Sequence, residues 1–307
     1  MKKIFYVYLL LFSEMFCAQN SSVNLEQTFP EKIQGYTVKN KNGQSVFKDE
    51  YKYLDSINVY GYNYSSYDNL TIRGFLIEPK EKGTYPVIIF NRGGNKELGA
   101  VTIPTLTNFL GKIAAKGFIV IGSQLRGSGR SEGKDEFGGK DIGDVMKLFE
   151  IIDHQSNADP KRIGMLGVSR GSMTNFLVLK ETDRIMANAT IGGIADLNQK
   201  DRPEMYELYK ELIPDFEKNP KKELDKRSSL LSIPLIKNKN LKNFIIHGAN
   251  DERVNVDNAF LLFNALKSNN FSTRLLIYED ANHGINNNTN DLIGQIIRYF
   301  TVYLAKL

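Results

Sequence analysis

Gly167-Val168-Ser169-Arg170-Gly171 sets a serine between two glycines, directly behind the apolar stretch 162–166 and ahead of the helical pattern 173–181. A strand-to-helix turn of this kind strains the serine backbone and lifts its hydroxyl clear, and the glycines permit the close approach. The chemistry this suggests is nucleophilic attack on a carbonyl. A neutral hydroxyl attacks poorly, so a base must take its proton and an acid must hold that base in place. The chain has 3 histidines, and their settings separate them. His154 falls within a helical pattern and reads as a surface or capping residue. His247 ends a strand directly before Gly248, and its plainer reading is a structural histidine. His283 stands in Asn282-His283-Gly284, a loop between the last strand and the last helix, and is the chosen base. Asp251, in Gly248-Ala249-Asn250-Asp251-Glu252-Arg253-Val254, follows the preceding strand and is the natural orienting acid. The order Ser, Asp, His along the chain suits these roles.

These residues need a scaffold, and the apolar pattern supplies one. Residues 57–64 alternate, Tyr67-Asp68-Asn69 turns, and 70–77 alternate again, as an antiparallel hairpin does. Residues 87–90 are apolar on both faces, as buried parallel strands are, and so are 118–122, 162–166, 186–191, 244–247 and 274–278. Helical patterns at 104–116, 142–154, 173–181, 256–268 and 291–305 separate most of them. Alternating strands and helices predict an α/β fold, with a mainly parallel central sheet flanked by helices and preceded by the hairpin. Residues 197–240, rich in Lys, Glu, Tyr and Pro, interrupt the rhythm as a helical insertion that can serve as a lid. Its Tyr206, Tyr209, Leu212 and Ile213 are helix-spaced and read first as packing of the insertion onto the sheet.

The 307 residues suit one large domain, and 41% hydrophobic with 24% charged residues is an ordinary globular balance. A net charge of +5, with bases and acids interspersed, argues against nucleic acid as a partner. The densest cluster, 218–227, includes Glu223 and Asp225 and reads as a solvated face. Met1-Lys2-Lys3 and the apolar run 4–12 form a leader too short to span a bilayer, so residues 1–18 are expected to be a signal peptide. The product would be exported, periplasmic or secreted, without an integral membrane segment. The chain's 1 cysteine, Cys17, falls in this leader. Glu14-Met15-Phe16 lacks the small residue that lipid attachment there prefers, which argues against an anchor. Residues 19–56 carry no assignable pattern.

Two further motifs are weaker. In Gly127-Ser128-Gly129-Arg130-Ser131-Glu132-Gly133, Glu132 takes the place of the third glycine of a dinucleotide loop, and no helix follows directly. Asp141 and Asp144 read as the acidic first turn of a helix rather than as metal ligands. No cofactor or metal is implied.

Asp159-Pro160-Lys161-Arg162-Ile163-Gly164 leading into the serine turn resembles the catalytic domain of the prolyl oligopeptidase family of serine peptidases. So do Arg126-Gly127-Ser128-Gly129, the segment 247–254 and Asn282-His283-Gly284. The resemblance covers roughly residues 57–307 and implies the α/β-hydrolase fold. It departs from the family in three places. Only residues 19–56 precede the hairpin, where those enzymes usually carry a large β-propeller. Arg170 stands where many have tyrosine, and Asn91-Arg92-Gly93-Gly94 lacks the expected tyrosine or histidine near the glycines. Backbone donors for an oxyanion remain: the N–H of Arg170 and one from Arg92 or Gly93. The expectation is a serine hydrolase that cleaves a small peptide, or alternatively a small ester as a carboxylesterase would, through an acyl-enzyme. A silent binding protein on the same scaffold is the third reading.

Overall fold

The computed structural model describes residues 23–24, 34–199 and 202–304. The expected leader, residues 1–18 with Cys17, lies outside the described residues. A sheet of 9 strands runs in the order β1-β4-β5-β7-β6-β8-β9-β10-β11. Here β1 is Val23–Asn24, β4 Ile57–Ser65, β5 Thr71–Pro79, β6 Tyr85–Asn91, β7 Ile119–Ser123 and β8 Ala158–Val168. β9 is Ile185–Ile191, β10 Lys242–Gly248 and β11 Ser272–Tyr278, while β2 (Thr37–Lys39) and β3 (Ser45–Phe47) pair separately. β4 and β5 form the expected antiparallel hairpin, and the pairs from β7 through β11 are all parallel. The chain therefore has the mainly parallel α/β sheet that the alternation predicts, in the α/β-hydrolase fold that the resemblance implies.

Period-two alternation decides which layer each strand residue serves. In β6, Val87 and Ile89 join one layer, while Ile88 and Phe90 join the other. β7 does the same with Ile119 and Ile121 against Val120, and β10 with Ile245 against Phe244 and Ile246. The first layer is closed by helices α2 (Asp141–His154), α3 (Arg170–Leu179) and α7 (Asp257–Ser268) through Leu148, Phe176 and Leu262. The second is closed by α8 (Thr289–Leu304), whose Ile296 and Phe300 are fully buried.

Two stretches differ from the sequence expectation. The helix expected over 104–116 is a π-helix over Thr105–Gly111 that runs into α1 (Lys112–Ala114). Side chains compete for its ladder: the Thr107 hydroxyl donates to the Ile103 carbonyl at 2.9 Å, and the Tyr53 hydroxyl donates to the Thr107 carbonyl at 3.1 Å. Tyr53 belongs to the unassigned N-terminal segment, which docks Tyr36, Phe47, Tyr51 and Leu54 on the α8 side of the sheet. Its elements are too short for periodicity to show. The insertion folds as α4 (Glu204–Leu212), α5 (Pro220–Arg227) and α6 (Ser229–Ser232). Tyr209, Leu212 and Ile213 are buried as the packing reading expects, whereas Tyr206 is exposed. The cluster 218–227 is not wholly solvated: Glu223 and Arg227 are buried and paired at 2.9 Å.

Gly164 in β8 lets α8 approach the sheet, since a Cβ there would lie 2.6 Å from the Phe300 ring. Overpacking of this kind costs about 1–3 kcal/mol, so Gly164→Ala is expected to lower the urea midpoint accordingly. Phe300→Leu in the same chain should recover part of that loss, because the two sites share one space. Additive losses in the double variant would show that the contact is not the cause.

Candidate active site

β8 ends at Val168 and α3 begins at Arg170, so Ser169 alone makes the turn, at φ 55° and ψ −121°. A non-glycine residue held there stores about 1–3 kcal/mol of strain, and the surroundings must enforce it. They do so by crowding. A Cβ at Gly171 would sit 2.0 Å from the Asn91 carbonyl oxygen, and one at Gly167 would sit 2.4 Å from the Gly171 carbonyl oxygen. The Ser169 N–H is taken by the Ile191 carbonyl at 2.8 Å. Both glycines of the motif are thus demanded by backbone contact.

Asp251 lies after β10, its carboxylate fully buried. Oδ1 accepts the N–H groups of Arg253 and Val254, both at 2.9 Å. Oδ2 accepts from His283 Nδ1 at 2.7 Å and from His247 Nε2 at 3.1 Å. Four donors occupy the carboxylate, about as many as its lone pairs can serve. Since a carboxylate only accepts, His283 carries its hydrogen on Nδ1, and Nε2 is left with the lone pair of a base. Gly192, at φ +57°, leaves room for this pair: a Cβ there would meet His283 Cε1 at 3.0 Å and Asp251 Oδ2 at 3.4 Å.

His247 is fully buried behind the acid. Its Nε2 also meets the Val254 carbonyl at 2.8 Å, so that nitrogen faces two acceptors and bears the hydrogen. His154, exposed at the end of α2, bonds only to the Glu150 carbonyl at 2.7 Å among the described residues. Ser169 and His283 instead line one cleft of about 630 Å³. Its walls are largely apolar, with Leu98, Phe109, Ile191, Ile194 and Met205 among them, and Arg202 and Arg253 supply guanidinium groups.

The loop after β6 closes over the serine. A Cβ at Gly93 would lie 3.0 Å from the Val168 carbonyl oxygen and 3.1 Å from Ser169 Cβ, so a side chain there would press on the turn and require it to give by a few tenths of an ångström. The backbone of Arg92 and Gly93 therefore faces the turn that carries the Arg170 N–H. Both arginine side chains turn away into the protein. Arg92 donates to the carbonyls of Gln124, Gly93, Leu98 and Lys96. Burial and the nearby Arg170 charge push its pKa down to about 10, which leaves it charged at neutral pH.

The Gly127–Gly133 loop is a support for the start of β5, inside the sheet. Ser131 Oγ accepts the Arg73 N–H at 3.0 Å and Glu132 accepts the Thr71 N–H at 2.7 Å, both from β5. Asp141 and Asp144 do stand in the first turn of α2, but both are fully buried and ion-paired. Asp144 pairs with Arg126 at 2.7 Å and Asp141 with Arg170 at 2.8 Å. The sequence reading missed this use of them, together with that of Asp135. The only signal was general, that an arginine directly after the serine needs an acid when buried; which of the 35 acidic residues the fold brings to it is not written locally in the sequence.

Comparison with known proteins adds independent findings. The model of the prolyl oligopeptidase family matches residues 107–306. The uncharacterized peptidase YtmA of Bacillus subtilis (strain 168) is 29% identical over 203 residues, 65% of this chain and 76% of that protein. The acylamino-acid-releasing enzyme of Rattus norvegicus is 24% identical over 240 residues, which cover 71% of this chain and 32% of that enzyme. Among solved structures, Pyrococcus horikoshii acylaminoacyl peptidase superposes with a TM-score of 0.69 at 22% identity, covering 89% of this chain and 48% of its own. The acetyl xylan esterase of Paenibacillus sp. R4 gives 0.63 at 16% identity, covering 82% and 85%. The chain thus spans half or less of the larger relatives, and a likeness this distant speaks for the fold.

The environment of Asp251 has a consequence for acid stability. Burial raises its pKa, but hydrogen bonds from His247, His283 and the Val254 N–H outweigh burial and hold it well below the usual carboxylate range. A group depressed in this way stabilises the fold fully above its unfolded pKa of about 4, and that stabilisation is lost progressively as pH falls from there toward the depressed folded pKa. Asp251→Asn should lower stability at neutral pH and flatten the acid limb of the urea midpoint below about pH 5. An unchanged limb would show that these hydrogen bonds do not favour the anion.

Proposed function

The chain belongs to the prolyl oligopeptidase family and is a serine hydrolase, and on that premise we propose that Ser169, His283 and Asp251 are its catalytic triad. The observation that carries the reading is the 2.7 Å bond from His283 Nδ1 to a saturated carboxylate, with His283 and the strained Ser169 on one cleft. In the proposed reaction His283 Nε2 removes the Ser169 proton as Oγ bonds to the substrate carbonyl carbon. The resulting oxyanion accepts the N–H of Arg170 and one from Arg92 or Gly93. His283 returns the proton to the leaving group as the tetrahedral species collapses to an acyl-enzyme. Water then repeats the sequence and frees the serine. Asp251 fixes the imidazole tautomer and steadies its positive charge.

Peptide cleavage is the favoured reading, because the family is one of peptidases and the apolar cleft suits an apolar side chain on the acyl side. Ester cleavage is the second reading, favoured by an esterase on the same fold with no additional demand on the leaving group. Amide cleavage asks more of His283, which must protonate an amine as it departs. Within this reading the insertion acts as a lid: it supplies Arg202 and Met205 to the cleft, and its Glu211 pairs with Lys96 of the loop after β6. Export remains part of the proposal, and N-terminal sequencing of protein from the native host should find a start near Gln19. An intact Met1 would overturn it.

Labelling of Ser169 by a fluorophosphonate probe is the first test. Ser169→Ala and His283→Ala should each lower kcat by about 10⁴-fold or more, and the double variant should be hardly worse, since triad members act as a unit. The substrate is decided by kcat/KM on a proline-containing peptide amide against matched esters, with Ser169→Ala as the blank. Undetectable amide cleavage beside efficient ester hydrolysis would leave the esterase reading standing. Loss of turnover in His247→Ala, with His283→Ala fully active, would move the base to His247.

A further inference from the structure

We propose that the Arg170 guanidinium is the positioning group of the oxyanion hole, joining the turn that carries one donor to the loop that carries the other; this rests on the triad reading above. Arg170 opens α3, and its side chain is 2% exposed. It reaches Asp135 as a fork, Nη1 to Oδ2 and Nη2 to Oδ1, both at 2.7 Å. Nη2 also meets Asp141 Oδ2 at 2.8 Å, and the guanidinium stacks over the Phe137 ring at 4.4 Å.

The fourth contact gives the cluster its direction. Arg170 Nη1 donates to the Gly94 carbonyl at 3.1 Å, and Asp135 Oδ2 accepts the Lys96 N–H at 2.8 Å. Arg92 holds the carbonyls of Gly93, Lys96 and Leu98 from its own side. The peptide groups between 93 and 98 are therefore gripped at five points by charged side chains. Three of those grips belong to Arg92, one to Arg170 directly and one to Arg170 through Asp135. A peptide plane held by its carbonyl cannot turn its N–H without breaking that bond. The gripped planes carry the N–H groups of Gly94, Asn95, Glu97 and Gly99, and the first of them adjoins Gly93, so the chain directly after the Arg92 and Gly93 N–H groups is anchored relative to the Arg170 N–H, on the same residue as the guanidinium.

Electrostatics favours this over an incidental ion pair. Arg92, Arg170, Asp135 and Asp141 are all buried, two cations with two anions. Burial opposes the Arg170 charge, and Asp141 and Asp135 overcome it, so its pKa is raised. Charge-assisted forks of this geometry are both strong and directional. Lysine at this position would keep the charge and lose the fork.

Oxyanion donors act on the transition state, so misplacing them lowers kcat and spares ground-state binding. Arg170→Lys is expected to lower kcat for an ester substrate by about 10- to 100-fold with KM changed less than about threefold, short of the 10²–10³ lost when a donor is removed. Affinity for benzeneboronic acid, which forms a tetrahedral anion on the serine, should fall in step with kcat. The pH profile of kcat/KM should keep its wild-type midpoint, since His283 and Asp251 are untouched. Asp135→Asn provides a second variant and should show the same split, because it loosens the same fork and the Lys96 N–H. Wild-type kcat in either folded variant would overturn the proposal. So would a lowered kcat with unchanged boronate affinity. If wild-type protein is not labelled at Ser169 by the fluorophosphonate, the triad reading fails; if it is labelled and Arg170→Lys behaves as wild type, only this proposal fails.

Discussion

The arrangement depends on one close crossing of backbone, where Gly171 at the start of α3 meets Asn91 at the end of β6. No side chain can stand at position 171, because its Cβ would fall 2.0 Å from the Asn91 carbonyl oxygen. This contact draws the first turn of α3 against the neighbouring strand and leaves Ser169 only the positive-φ path between β8 and the helix. The same contact brings the loop after β6 over the serine, where a Cβ at Gly93 would press on the Val168 carbonyl oxygen at 3.0 Å. Ser169 and the loop after β6 are therefore placed by one packing constraint. Substituting either glycine would move both at once.

That constraint explains which parts were legible in the amino-acid sequence. The buried strands announced themselves as short apolar runs, and the two glycines flanking Ser169 marked the turn, because both signals are local. His283 and Asp251 could be placed after β11 and β10 because those positions follow from the alternation of elements, and the structure pairs the two at 2.7 Å. The use of Asp141 and Asp144 could not be read locally. Both satisfy the rule for a first helical turn, and only the fold brings Arg170 and Arg126 to them. The N-terminal segment was illegible for a different reason. Its Tyr36, Tyr51 and Tyr53 pack on a helix that is itself distorted, in elements of a few residues that show no period.

Charge burial is the second theme of the molecule. Arg126 binds Asp144 at 2.7 Å and Asp68 at 2.8 Å, close to the loop that supports β5. Arg170 binds Asp135 and Asp141 beneath the site, and Arg227 of the insertion binds Glu223. Replacing such pairs by apolar groups is often neutral for stability, whereas removing one partner is costly. Their contribution is better sought in geometry than in stability. Two of the three clusters tie a loop to the helix that carries or flanks the nucleophile turn, through α2 and α3. A purely apolar contact would hold these loops in place without fixing the direction of their N–H groups.

The acid presents the same logic in a smaller space. Two imidazoles share Oδ2 of Asp251, yet they cannot exchange roles. His247 is sealed from the cleft and is bound at Nε2 by both Asp251 and the Val254 carbonyl, so its hydrogen is committed. Its Nδ1 has no hydrogen-bond partner among the described residues. His283 is bound at Nδ1 and lines the cleft together with Ser169. Because the carboxylate also takes two backbone N–H groups from the turn that follows it, its oxygens cannot rotate to follow either ring. A fixed acceptor dictates a fixed tautomer, and in the proposed triad that tautomer leaves His283 Nε2 free to take a proton. The two histidines thus differ in which ring nitrogen each one gives to the same carboxylate, Nε2 from His247 and Nδ1 from His283.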